Sequence, residues 1–212
     1  MSDRNASASA FGWDFQTNSA ILLMLENIKD AKRVRVEGAD EDIEITLQDQ
    51  TKLYAQAKAV EKPDDISHVI DKLTKALETL SDAAKKGDGS LFTYVTNSSN
   101  PFNNQRTLSY FTGRTHLDFD ELPTAAQKKI NEIIQNNGYT ALDVHKLDVR
   151  VIPFYGNDLK NRYKEIQACV NEFLTEVNDT IRLEALKDRL HLLVEKRFRG
   201  ELNRCQGCAI CK

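Results

Sequence analysis

The sequence predicts an α/β protein in which helices flank a mixed β-sheet and a largely helical extension follows. Three observations support this prediction. Residues 34–60 alternate apolar and polar side chains, as exposed β-strands do. Residues 66–80 carry an apolar stripe with helical spacing, and residues 91–95 form a short apolar run rich in strand-forming residues. With a helix before the strands, the predicted order of the core is α-β-β-β-α-β, and the right-handed crossover leaves few topologies for it.

The N-terminal segment MSDRNASASA predicts a short flexible tail. An aromatic cluster, FGWDF, follows and leads into a helix. Ile21, Met24, Leu25 and Ile28 have the spacing of a core-facing stripe. We expect this helix to end near Ala31.

The segment 34–60 predicts three strands over residues 34–37, 42–47 and 53–60. On the second strand, Asp42 and Glu44 share the face opposite Ile43. On the third, Gln56 and Lys58 share a face. If these two strands form a hairpin, Asp42 faces Gln56 and Lys58 near one end of it.

The remaining elements follow from apolar spacing and from turn residues. Pro63 predicts the start of the second helix, and a polar loop is predicted over residues 97–104. The second half is predicted to contain a helix closed by Gly138 and a strand. The helix is predicted over residues 125–137 and the strand over residues 147–154. Two further helices are predicted over residues 158–177 and 181–202.

Length and composition fit one large domain or a small domain with an extension, since the chain has 212 residues and a net charge of −3. We divide it into a tail, a core, an extension packed on the core and a cysteine-containing tail, over residues 1–12, 13–104, 105–203 and 204–212. No apolar run approaches the ~20 residues of a membrane span, and the N-terminus lacks the features of a signal peptide. We therefore expect a cytoplasmic protein without a membrane partner.

The three side chains expected to meet on the hairpin have a chemical use together. The Asp42 carboxylate and the Gln56 amide oxygen are hard ligands that suit Mg²⁺ or Mn²⁺. The Lys58 ammonium could orient an attacking water and stabilise charge on a phosphate. These groups suffice for phosphodiester hydrolysis. The alternative is that the three lie on the solvated polar face of an edge hairpin.

The element order, with Asp42 opening one strand and Gln56-Ala57-Lys58 on the next, resembles the PD-(D/E)xK restriction-endonuclease-like superfamily. The branch with Gln at the acidic position, as in Mrr-type nucleases, is the most similar. More narrowly, several stretches resemble the family of DNA endonuclease domains of CD-NTase-associated protein 4, which serve in bacterial anti-phage systems. These stretches are FQ before the first helix, EG and EDIE around the second strand, QAK, and the later strand followed by Gly156 and a long helix.

The resemblance implies a restriction-endonuclease-like core and a metal-dependent hydrolase that cuts double-stranded DNA. It implies Asp42 and Gln56 as ligands of Mg²⁺ or Mn²⁺ and Lys58 as the catalytic lysine. It also implies Glu37 as a further ligand or a water-positioning acid. Glu44 and Asp40 remain alternatives to Asp42.

Members of this family usually carry a second domain, often a cyclic-oligonucleotide sensor, which has no counterpart in this sequence. We expect a stand-alone nuclease, a piece of a longer chain, or control by a partner protein. Many such nucleases need two active sites to cut both strands, so a homo-oligomer is also expected. The rival interpretation is a catalytically inactive nuclease fold that serves as a nucleic-acid-binding or assembly module.

Three cysteines close the chain with the spacing C-x2-C-x2-C: Cys205, Cys208 and Cys211. A zinc site takes four ligands, so a fourth would have to come from Cys169, from His191 or from another chain. Reduced thiols on a loose tail are the interpretation that we favour over zinc ligands, because the expected compartment is reducing.

Overall fold

A computed structural model of the chain describes residues 3–37, 42–62, 65–86, 91–156 and 161–176, with side chains for residues 10–175 of these ranges. Residues 1–169 form one compact unit, and residues 170–212 form a second, of which residues 170–176 are described. The helices are α1 (Asp3–Glu26), α2 (Val69–Ala84), α3 (Thr124–Asn137) and α4 (Lys164–Glu176). The strands are β1 (Ala31–Val36), β2 (Ile43–Leu47), β3 (Lys52–Lys58), β4 (Leu91–Thr96), β5 (Thr115–Asp118) and β6 (Leu147–Val151). Short 3₁₀ helices cover Gln105–Tyr110, Phe119–Glu121 and Val144–Lys146.

The six strands form one mixed sheet in the order β1-β2-β3-β4-β6-β5. Strands β1, β2 and β3 pair antiparallel, β3 pairs parallel with β4 across the α2 crossover, and β4 pairs parallel with β6. Strand β5 closes the far edge antiparallel to β6. The predicted α/β class, the mixed sheet with flanking helices and the α-β-β-β-α-β order are confirmed.

Helices cover both faces of the sheet. Tyr54 of β3 and Phe92 of β4 lie opposite each other in the parallel pair and join the buried core cluster with Leu73 and Leu77 of α2. Helix α1 contacts β1, β2 and β3, and its Glu26 pairs with Arg150 of β6. The residues next to Arg150 in β6 belong to the core cluster, so the Arg150 side chain points to the other face of the sheet. Helix α1 therefore lies against the opposite face. Strand β3 is consequently buried on both of its faces.

The N-terminal helix is longer than the sequence predicts. It begins at Asp3, so most of the segment predicted as a tail is helical. A helix that is already nucleated extends at little cost through a segment that contains alanine and no proline. The helix ends at Glu26 rather than near Ala31, because the Asn27 side chain caps the Leu23 carbonyl at 2.8 Å and the chain then turns into β1.

Helix α2 starts later than predicted. Pro63 lies outside the described residues, and the helix begins at Val69. Before it, the Asp65 carboxylate accepts bonds from the amide and the hydroxyl of Ser67 at 3.0 and 2.6 Å, which forms a local turn instead of a helix cap. Ile66 is correspondingly 39% exposed. The rest of the predicted stripe is buried or partly buried on the helix: Val69, Ile70, Leu73, Leu77 and Leu80.

In the second half, α3 and its closure by Gly138, which has φ +71°, are confirmed. The polar loop predicted over residues 97–104 is confirmed as a loop, although its Asn97, Ser98 and Asn100 are buried. Strand β6 ends at Val151, ahead of Pro153, and helix α4 begins at Lys164. The predicted helix over residues 181–202 and the tail over residues 204–212 lie outside the described residues. Among the helices that the structure describes, none is long and apolar enough to cross a membrane.

Candidate functional site

The β2–β3 hairpin brings Asp42, Gln56 and Lys58 together. The register pairs Ile43 with Ala55 and Glu44 with Tyr54, so Asp42 lies opposite Gln56. The Lys58 ammonium Nζ donates to Gln56 Oε1 at 2.8 Å and lies 3.1 Å from Asp42 Oδ2. The carboxylate, the amide oxygen and the ammonium therefore converge on one point, as the alternation of the two strands predicts.

The backbone holds the Asp42 carboxylate in place. The amide of Ala57 donates to Asp42 Oδ2 at 3.0 Å, so the same oxygen receives both this amide and Lys58. Charge-assisted bonds of this kind are stronger than neutral ones and fix the rotamer of the acid. Asp42 thus has a defined position even though it precedes the first residue of β2.

The other predicted acids divide between the site and its surroundings. Glu37 is half-buried and has φ +52°, and its amide donates to the Asp42 carbonyl at 2.8 Å, which places Glu37 beside the site. Glu44 points along the hairpin toward Arg35 and Lys52, at 3.7 and 3.9 Å. Asp40 lies outside the described residues.

The site is set into the sheet rather than on a solvated edge. Gln56 is 2% exposed, and the side chains of Asp42 and Lys58 are 20% and 26% exposed. The edge-hairpin interpretation is therefore wrong for β3, since β2 and β4 flank this strand. A buried amide requires hydrogen-bond partners, and Lys58 supplies one to Gln56. Lys58 itself lies at the carboxyl end of the parallel pair β3–β4, the end where open α/β sheets bind ligands.

A second lysine approaches from α2. The Lys72 ammonium donates to the carbonyl of Ala59, the residue after Lys58. Burial lowers the pKa of Lys72, and Lys58 contributes to this lowering by charge repulsion, while Asp65 and Glu61 oppose it. Sequence reasoning missed Lys72, because its proximity to the site depends on how α2 packs on the sheet.

The donor set fits Mg²⁺ or Mn²⁺. Magnesium is usually held by one or two carboxylates and further oxygens, with water and substrate phosphates completing the shell. Asp42 provides a carboxylate and Gln56 a neutral oxygen, and both meet a lysine that could pair with a phosphate.

A different charged cluster lies on the other face of the sheet, between β5 and β6. His116 Nε2 is 2.7 Å from Asp148 Oδ2 and 3.7 Å from Asp118 Oδ1. The ligand atoms of these three residues lie within 4.8 Å of one another, a spacing that could hold a metal ion. Sequence reasoning missed this cluster, because β5 was not predicted.

Arg150 argues against a metal in this cluster. Its Nε lies 3.1 Å from Asp148 Oδ2, its Nη2 is 3.3 Å from His116 Nε2, and it also pairs with Glu26. Burial lowers the pKa of Arg150 to about 10, which leaves it charged at neutral pH. The hydrogen bond to Asp148 raises the pKa of His116. The guanidinium thus supplies the positive charge that a cation would bring, and the cluster is an ion-pair network.

Of the cysteines, Cys169 lies in α4, where its side chain is buried. Cys205, Cys208 and Cys211, together with His191, lie outside the described residues, so the zinc interpretation of the C-terminal spacing remains a prediction.

The fold and the site define an α/β protein whose mixed sheet holds a carboxylate, an amide and an ammonium at the end of its central strands. No protein-family model matches the chain, and no curated protein or solved structure matches it either. The restriction-endonuclease family therefore remains a prediction from the sequence motifs.

Proposed function

We propose that this chain is a metal-dependent endonuclease that hydrolyses phosphodiester bonds of double-stranded DNA in the cytoplasm. The observation that carries the proposal is the convergence of Asp42 and Gln56 on the Lys58 ammonium, at 3.1 and 2.8 Å. The choice of double-stranded DNA, and of bacterial anti-phage defence as the setting, rests on the resemblance of the sequence motifs.

Each residue has a role in this hypothesis. Asp42 and Gln56 hold Mg²⁺ or Mn²⁺, which when bound would lower the pKa of a water and neutralise phosphate oxygens. Lys58 stands beside both oxygens, where it can orient the attacking water and stabilise the charge that develops on the phosphate. The Ala57 amide keeps the Asp42 carboxylate aimed at the site. Glu37 is proposed as a further ligand or a water-positioning acid.

A specific observation favours a second candidate, an inactive nuclease fold that binds nucleic acid or supports assembly. The polar groups of the trio already bond to one another, so this arrangement is stable without a metal. For the active enzyme we further propose a homo-oligomer, with activation by a sensor domain or a partner protein.

A manganese titration separates the two candidates. The enzyme should bind Mn²⁺ through Asp42, and Asp42→Asn should weaken binding about tenfold or more, because it removes the carboxylate charge from the site. Asp71→Asn is the matched control, since Asp71 pairs with His68 on an exposed helix surface. Isothermal titration calorimetry gives the affinities. Equal affinity in the wild type and Asp42→Asn would refute the proposed metal site.

A further inference from the structure

The face of the sheet that carries the site continues onto a group of basic residues. Two rows of side chains run across strands β1, β2 and β3. One row consists of Arg35, Glu44 and Tyr54, and the other of Arg33, Thr46 and Lys52. Side chains that lie opposite each other in a sheet point to the same side. The face therefore holds the site at one end and a basic strip at the other, defined as Arg33, Arg35 and Lys52.

The basic strip is open to solvent and carries excess positive charge. Arg33 is exposed, and the side chains of Arg35 and Lys52 are 44% and 32% exposed. Glu44 is the acid that pairs within the strip, at 3.7 Å from Arg35 and 3.9 Å from Lys52. Three cations against one acid leave a local excess on a protein whose net charge is −3.

Neighbouring groups orient two of these cations, Lys52 and Arg35. The Lys52 ammonium donates to the Tyr54 hydroxyl at 3.2 Å and lies 5.7 Å from the centre of that ring, which is itself buried. Glu44 holds the ends of Arg35 and Lys52 near each other. Cations restrained in this way lose less side-chain entropy when they bind an anion than free ones do.

The dimensions match a nucleic-acid backbone. On β2, whose side chains on this face are partly exposed, Asp42 lies four residues from Thr46, the partner of Lys52, a span of about 13 Å at ~3.3 Å per residue. One DNA strand carries a phosphate every ~3.4 Å of helix axis, so this span covers roughly four phosphates. A regular polyanion would meet cations at one end of the face and the proposed metal site at the other.

We propose that the basic strip contacts the phosphate backbone of a DNA duplex and guides it to Asp42, Gln56 and Lys58. This inference rests on the proposed function and adds the surface that binds the substrate. Charge complementarity and continuity with the site favour DNA over an acidic protein surface, whose charges are not spaced along a line.

The test is equilibrium binding of the full chain to a fluorescent 30-base-pair duplex, measured by anisotropy in EDTA over a range of salt concentrations. The triple variant Arg33→Gln, Arg35→Gln, Lys52→Gln should reduce the salt slope by about 2 to 3, because each phosphate contact contributes ~0.9. Arg33→Gln alone should reduce it by about 0.9. The control triple variant Arg106→Gln, Lys128→Gln, Lys129→Gln removes equal charge elsewhere and should leave most of the slope.

Glu44→Gln gives a test that unfolding cannot imitate. Removing the acid of the strip should tighten binding by roughly twofold to fivefold, since a like charge near the phosphates is lost. Circular dichroism confirms the fold of each variant. An unchanged slope in the strip variant, an equal loss in the control, or no binding by the wild type would overturn the proposal.

Failure of this inference is distinguishable from failure of the proposed function, because binding in EDTA needs no metal. If binding depends on the basic strip but the protein cuts no DNA, the endonuclease proposal is contradicted and the DNA-binding role of the strip is supported. Cutting that depends on Asp42 while the strip variant binds normally would contradict the strip alone.

Discussion

At the scale of single residues, one oxygen of Asp42 organises the site. It accepts from the Ala57 amide and from Lys58, so the position of the acid is coupled to the backbone of β3. Lys58 in turn links Asp42 to the buried Gln56. Each side chain fixes its neighbour, which is the preorganisation that the proposed catalysis would require.

His116 provides a prediction on pH. The hydrogen bond to Asp148 raises the pKa of His116 in the folded protein. The stabilisation from this pair is therefore full below the unfolded pKa of about 6.5 and is lost as pH rises through the raised folded value. The unfolding midpoints of the wild type and His116→Asn should differ most near pH 5.5 and converge at high pH.

The charged and polar groups around His116 decide this result. Asp118, Asp148 and Arg150 face it from β5 and β6, and Glu26 of α1 bonds to Arg150. A titration of the His116 ring by NMR gives the folded pKa directly. A difference in midpoint that does not vary with pH would contradict the assignment.

At the scale of elements, Asn97 joins three strand ends. Its Oδ1 accepts from the Val60 amide, and its Nδ2 donates to the carbonyls of Val60 and Phe154, each at 2.7 Å. The side chain thus takes the place of a strand in pairing the segments after β3 and β6. Lys58 lies two residues before Val60, so this junction also supports the site.

Asn97→Ala should destabilise the protein by about 3 kcal/mol, because it leaves three buried backbone groups without their partner. Asn137→Ala is the control, since Asn137 is exposed and bonds only locally to the Ile133 carbonyl at 2.8 Å. Urea denaturation measures both. A loss for Asn97→Ala no larger than that of the control would show that the junction does not stabilise the fold.

The elements that could be predicted are those whose pattern is local. Alternation gave β2 and β3, and an apolar stripe gave α2 and α3, so Asp42, Gln56 and Lys58 could be placed on one face. Strand β5 escaped prediction because its four residues form an edge with little apolar content. The segment after β4 is polar in sequence but buried, because the Asn97 side chain bonds to backbone groups of the segments after β3 and β6.

In the molecule as a whole, the two groups of charged residues lie on opposite faces of the sheet. The central strands β3 and β4 are buried and end at the proposed metal site, while Arg33 and Arg35 of β1 and Lys52 at the start of β3 form the basic strip on the same face. The ion-pair network of His116 lies on the opposite face, where it ties β5 and β6 to α1. Lys72 and this network depend on packing between distant segments, which no local pattern encodes.

If Lys58 takes part in metal-dependent cutting of DNA, its substitution should slow the cleavage of a supercoiled plasmid. The assay contains Mg²⁺ or Mn²⁺ and is run with and without added cyclic oligonucleotides. The wild type should cut, and Lys58→Ala should lose about a hundredfold or more in rate while it keeps its fold. Lys85→Ala, which breaks an exposed pair with Asp82 at 2.6 Å, should cut as the wild type does. Cutting by Lys58→Ala at the wild-type rate, or no cutting by the wild type under any of these conditions, would contradict the account.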